Sequence, residues 1–192
     1  MDELRMRIID AAVIVFNENG IKFTMDDIAK KLSISKKTIY REFDSKEALF
    51  MAAADRGFAL IKSEEKKILD NMSLSTIEKL KKVLIVLPDN YKNIDWRKIS
   101  EIEKVYPQVF EHIVTRVNTQ WEPTIALIEK GISDGSLRKF SIPVFKIMVE
   151  SSIRGFIEDT ELTANAIGYE EALEDMIDVL LKGIAYENKN SI

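Results

Sequence analysis

The segment from Thr24 to Leu49, TMDDIAKKLSISKKTIYREFDSKEAL, constrains the fold more than any other stretch of this chain. Thr24 stands before Met25-Asp26-Asp27, an N-cap followed by acids in a first helical turn, where free N–H groups and the helix dipole favour both. Ile28, Ala29 and Leu32 then recur at helical spacing as one apolar side, with Ala29 small enough for two crossing helices to approach closely. Ser33-Ile34-Ser35 makes a turn in which Ile34 points inward. Ser35 caps a second short helix whose inward side is Ile39 and Phe43. Asp44-Ser45 opens a third helix, with Ser45 as N-cap and Lys46 at its first position. Two short helices joined by a tight turn, with basic and hydroxyl groups outward on the second, are the build of a helix-turn-helix.

The rest of the chain reads as helix too. Seven glycines and four prolines punctuate 192 residues, and no alternating apolar–polar strand stands out. Leu4, Ile8, Ala11, Ala12, Val15 and Phe16 fall on one helical side, and Gly20 follows as a stop. The helix from Ser45 is expected to run to about Met72, with Gly57 a weak point near its middle. Further segments cover Thr76–Leu87, a short stretch from about Asp95, and a longer one from Pro107 to Gly131–Gly135 that Pro123 bends. Two long apolar segments, Ser141–Leu162 and Tyr169–Tyr186, complete an all-α chain. The expected domains are 1–48, continuing into a linking helix to about 72, and 73–192.

Composition narrows the function. There is no cysteine, which removes disulfide and thiolate chemistry and suits a reducing cytoplasm. No apolar run approaches the roughly 18 residues of a membrane span, so no membrane partner is expected. The net charge of −4 argues against a partner of nucleic acid. Residues 1–48, however, hold nine Lys or Arg against nine Asp or Glu, and Lys36–Arg41 holds three positive charges and no negative one. Over a Debye length of roughly 8 Å such a local field decides phosphate attraction. His112 is the single histidine and is read as a surface or capping residue beside Glu111. No metal-ligand set, cofactor motif or nucleophile constellation is evident, so no catalytic residue, metal or cofactor is assigned and an enzyme is not expected.

In Ile9, Ala11-Ala12, Phe16, Gly20, Thr24, Ile28-Ala29 and Leu32, then Ser35-Lys36-Lys37-Thr38-Ile39-Tyr40-Arg41-Glu42-Phe43 and Ser45-Lys46-Glu47-Ala48-Leu49, the chain resembles the TetR family of bacterial transcriptional regulators. The match covers about the first quarter of the chain. Glu101–Pro107 and Gly131–Gly135 carry a weaker echo. Ser33 departs from the glycine that the family often places in the turn, and Lys37 replaces a small residue.

The resemblance implies that the helix from about Lys36 to Phe43 lies in the major groove of double-stranded operator DNA. Lys36, Lys37 and Thr38 at its N-terminal end are placed for base edges, Tyr40 for phosphate, and Arg41 for either. Lys46 would clamp a second phosphate at the start of its own helix, and Thr24 a third. It also implies a homodimer on a near-palindromic operator, joined by a four-helix bundle from the two C-terminal segments. The residues proposed for that seam are the large Ile147, Met148 and Phe156 with the small Ser151, Ser152 and Gly155 between them, and Met176, Ile177, Leu180 and Ile184. A small-molecule effector would sit among Leu84, Tyr91, Trp96, Ile99, Ile102, Tyr106, Phe110, Trp121 and Phe145, although each of these taken singly suits plain core better than a lining role. The expectation is a ligand-responsive repressor. The alternative is a helical dimer that keeps the fold but acts on protein partners, which the neutral balance of residues 1–48 keeps open.

Overall fold

A computed structural model describes residues 3–92, 94, 96–158 and 161–184. Among them the regular structure is helical, with no strand. It falls into two compact units that interleave along the sequence: Met1–Ile61 with Leu87–Arg116, and Lys62–Val86 with Val117–Ile192. The units are therefore not cut where a reading along the chain cuts them. The segment that follows Val86 returns to the N-terminal helices.

The first unit begins with α1 (Glu3–Asn19), whose buried stripe includes Ile8, Ile9, Ala12 and Phe16. After a single 3-10 turn at Gly20–Lys22, α2 (Met25–Leu32) starts at a reciprocal cap. The Thr24 hydroxyl accepts the Asp27 N–H at 3.3 Å, and the Asp27 carboxylate accepts the Thr24 N–H at 2.8 Å. The helix closes at Ser33, which takes the left-handed conformation with φ 55° while the Ile34 N–H reaches back to the Ala29 carbonyl at 3.0 Å. In α3 (Lys36–Glu42) the Ser35 hydroxyl accepts the Thr38 N–H at 3.1 Å. Ile39 and the flanking Phe43 are buried beneath it.

The Ser45 hydroxyl caps α4 (Lys46–Asp70) through the Ala48 N–H at 3.0 Å. Leu49 and Phe50 enter the core, where Phe50 meets the edges of Phe16 and Phe23 at 5.6 and 5.4 Å. Three more helices belong to this unit: α6 (Asp89–Lys92), α7 (Trp96–Val105) and α8 (Pro107–Val117). Gly57 is not a weak point. Helix α4 runs through it unbroken, and a Cβ there would lie 2.7 Å from Cε1 of Tyr91. The Tyr91 hydroxyl donates to the Ala53 carbonyl at 2.9 Å, which locks the ring in that notch.

His112 is likewise tied in rather than free on the surface. Its Nε2 is 2.8 Å from the Asp55 carboxylate, to which the Arg116 guanidinium also donates. Burial pushes the Asp55 carboxyl up, but the hydrogen bonds from Arg116 and His112 outweigh it and hold it below its ordinary value.

The second unit packs α5 (Thr76–Ile85) against α9 (Glu122–Asp134) and α12 (Tyr169–Ile184), with α10 (Ile142–Glu158) against α12 and the short α11 (Glu161–Ala164) between them in sequence. Its core includes Leu80, Ile128, Phe145, Val149 and Ile177. Gly131 permits the close approach of α9, since a Cβ there would lie 2.8 Å from a methyl of Thr76 and 2.7 Å from one of Leu137. The single helix expected from Pro107 to about Gly135 is two helices, α8 and α9, separated at 118–121, where Gln120 has φ 60°. Pro123 sits in the first turn of the second, where its missing N–H costs nothing, so it starts a helix and does not bend one. No helix among the described residues is long and apolar enough to cross a membrane.

Candidate nucleic-acid interface

Helix α3 separates its residues by chemistry. Ile39 faces the core, while Lys36, Lys37, Tyr40 and Arg41 are exposed and Thr38 is half-buried. The cap that starts the helix uses part of its polar surface, because the Thr38 hydroxyl lies 2.8 Å from that of Ser35. Lys37 has no hydrogen bond or ion pair among the described residues. Arg41 is 70% exposed and only loosely associated with Glu42, at 3.4 Å. Tyr40 is 43% exposed and projects its ring from the same face. The expected candidates in this helix therefore do stand together on one side.

Three of the candidates are engaged elsewhere. Lys36 is held by Asp26 of α2 at 2.9 Å, and that hydrogen-bonded carboxylate raises the Lys36 ammonium above its ordinary pKa. Thr24 spends its hydroxyl on the cap of α2, both accepting the Asp27 N–H and donating to the Asp27 carboxylate at 2.8 Å. Those bonds, led by the one from the Thr24 backbone, hold the Asp27 carboxyl below its usual range.

Lys46 departs furthest from expectation. Its ammonium does not face outward as a phosphate clamp but folds back onto the carbonyls of Ile21 and Phe23, the second at 2.6 Å, and lies 4.2 Å from the centre of the Phe23 ring. Burial lowers its pKa, and Asp27 offsets that only in part. The long, flexible stem lets a lysine at a helix start turn inward where carbonyls without helical partners attract it.

Two residues outside the expected site also bear on this face. Asp26 faces Lys36, and Arg5 of α1 donates to the carbonyl of Glu42 at the end of α3. Arg5 carried a signal, since it continues the buried stripe of Ile8, Ile9 and Ala12 at helical spacing, where an apolar residue would be expected.

In the second unit α10 exposes Val144, Ile147 and Met148, at 54, 60 and 47%. Ser151 is exposed on the same helix, and a Cβ at Gly155 would meet nothing within 4 Å. Ser152, whose hydroxyl donates to the Met148 carbonyl, and Phe156 are half-buried. On α12 the picture differs from expectation. Ile177 and Ile184 are buried in the unit's own core, and Met176 and Leu180 pack against it, so the two isoleucines have no side chain left for a seam. The exposed apolar residue of α12 is Val179, at 72%.

The residues expected to line one effector site are divided between the units. Tyr91, Ile99, Ile102, Tyr106 and Phe110 belong to the first, and Leu84, Trp121 and Phe145 to the second. Tyr91 has a structural job in the Gly57 notch, and burial pushes its hydroxyl up to about 12. Tyr106 packs its ring 5.6 Å from Phe50. Phe145 packs 5.5 Å from Phe140 in the second core. The side chain of Trp96 lies outside the described residues.

Residues 8–53 match the model of the bacterial regulatory proteins of the tetR family. Over 183 residues the chain is 27% identical to the HTH-type transcriptional regulator YvaF of Bacillus subtilis (strain 168), covering 95% of this chain and 96% of that one. A 48-residue stretch is 42% identical to IcaR of Staphylococcus aureus (strain Newman), the negative transcriptional regulator of the biofilm operon icaADBC, covering 24% of this chain and 26% of that one. Among solved structures, a transcriptional regulator from Cytophaga hutchinsonii superposes with a TM-score of 0.69 at 22% identity, covering 96% of this chain and all of that one. The capped helix-turn-helix at residues 8–53, which matches the tetR family model, and the likeness along nearly the whole chain to an HTH-type transcriptional regulator make this chain a transcriptional regulator of the TetR type with a DNA-binding helix-turn-helix domain.

Proposed function

We propose that the chain acts in the cytoplasm as a homodimeric repressor that binds a near-palindromic operator and is released by a small, largely apolar effector. The observation that carries the DNA reading is the division of α3. Ile39 anchors the helix from below, and Lys37, Tyr40 and Arg41 are left outward with no strong internal partner. Side chains of this kind on the second helix of such a motif meet base edges and phosphates in the major groove. One α3 contacts few base pairs, so a second copy about one helical turn of DNA away, roughly 34 Å, supplies the rest.

Support for self-association comes from α10, whose Val144, Ile147 and Met148 lie exposed three and four residues apart. The repressive sense is supported by the likeness of the reading region to IcaR, a negative regulator. The effector would act through the long helix α4, Lys46–Asp70, which starts directly after the reading helix. It must bind one state of the dimer better than the other, since equal affinity shifts nothing.

The competing reading, a helical dimer that binds proteins and not DNA, is favoured by one observation: Lys36 is neutralised by Asp26. Selection of genomic DNA fragments on the purified protein at near-physiological salt separates the two. The repressor reading predicts a recurring near-palindrome. Retention with no shared sequence, fading steeply as salt rises, would reduce the interaction to phosphate attraction and overturn the operator claim.

A further inference from the structure

We propose that Arg5 is a positioning residue for the reading helix: from the first turns of α1 its guanidinium donates to the carbonyl oxygen of Glu42, the last residue of α3, and lies 4.0 Å above the centre of the Phe43 ring. The inference rests on α3 being the DNA-reading helix, and it concerns what holds that helix still.

A helix of seven residues does not hold itself, because nucleation costs more than so few backbone bonds return. Its N-terminal end is fixed by Ser35, whose hydroxyl accepts the Thr38 N–H. At its C-terminal end the Phe43 N–H still reaches the Ile39 carbonyl at 2.9 Å, but the carbonyls that follow have no helical donor. The helix dipole is also negative there. A guanidinium supplies all that the position lacks: a donor for the Glu42 carbonyl, a positive charge at the negative end, and a flat face for the Phe43 ring.

The stem of Arg5 is itself fixed. Ile8 and Ile9, one turn on, are 0 and 1% exposed, so α1 cannot rotate without opening the core. Arg5 thus transfers the rigidity of a seventeen-residue helix to the free end of a short one. It thereby sets the angle at which Lys37, Tyr40 and Arg41 leave the protein. Arg5 is half-buried with its head turned toward α3, which commits its charge to the helix end and not to a phosphate.

Arg5→Met keeps an apolar stem near Phe43 and removes the donor and charge, while Arg5→Lys restores the charge and one donor without the flat face. In the unbound protein, Arg5→Met is expected to speed amide exchange at the end of α3, at Arg41–Phe43, with the amides of Ile9–Phe16 unchanged. Operator affinity should fall roughly tenfold while affinity for random DNA and the salt slope stay as in the wild type. Arg5→Lys should recover part of both effects. Unchanged exchange at the end of α3 overturns the proposal. Equal loosening of α1 overturns it too, since Arg5 would then merely support the fold. A salt slope smaller by about 0.9 also overturns it and makes Arg5 a phosphate contact. If the wild-type protein selects no operator, the DNA reading fails by that result, and the exchange measurement alone decides whether Arg5 positions α3.

Discussion

Helices α3 and α10 both present an exposed face, and the two faces obey opposite rules. The face of α3 is polar: lysines, a tyrosine and an arginine project from a helix held by a serine cap at one end and an arginine at the other. The face of α10 is apolar, with Val144, Ile147 and Met148 open to solvent on a seventeen-residue helix whose opposite side is anchored in its own unit by the buried Phe145 and Val149. A polar face is at rest in water, so its usefulness depends on being held at the right angle. An apolar face is at rest only when covered, so its usefulness depends on a partner. Accuracy of placement is the problem that the first unit solves, and association is the one that α10 poses.

The sharpest way to break the contrast is to charge α10. Ile147→Glu would place like charges near one another across a two-fold seam, and operator affinity should drop by at least about a hundredfold as the dimer dissociates. Light scattering would give the mass, and an unchanged dimer mass would move the seam away from α10. On the other face, Tyr40→Ala should weaken operator binding by roughly tenfold. Its melting temperature should hardly move, because Tyr40 is exposed at 43% while the buried Ile39 and Phe43 hold the helix. A fall in melting temperature would show that the face is not free.

Internal supports should behave differently from contacts. Lys46→Met strands two carbonyls and removes the charge over Phe23, and should cost about 1–2 kcal/mol in denaturant unfolding. It should leave the salt slope of DNA binding untouched, whereas a phosphate clamp would lower that slope by about 0.9. The smallest effect concerns the turn before α3. Ser33 pays for its left-handed conformation, φ 55°, so Ser33→Gly should stabilise the protein by about 1 kcal/mol, read as a higher melting temperature.

The same two faces explain what could be read from the sequence. The helices around α3 are announced by local cues, with Thr24, Ser35 and Ser45 each capping where the pattern placed them. The internal clamps are not local. Arg5 meets Glu42 across 37 positions, and Lys46 meets Phe23 across 23, separations at which spacing carries no information. In α12, apolar residues occur on more than one side, and nothing in their order tells that Ile177 faces the core while Val179 faces solvent. Pro123 is compatible with a bend or a beginning, and only the break at 118–121 decides between them. Interleaving of the units was hidden for a related reason: the return of residues 87–116 to the N-terminal helices depends on side chains such as Tyr91, His112 and Arg116 finding α4.

The Tyr91 ring in the Gly57 notch makes two positions 34 residues apart behave as one unit of variation. A side chain at position 57 and a ring at position 91 exclude each other, so neither can change first without passing through a poorly packed intermediate. Among chains built on the same notch, a larger residue at the first position should therefore occur only where the second has become small. A library that randomises both positions together should return that pairing, while libraries that vary either one alone should return mostly the parent.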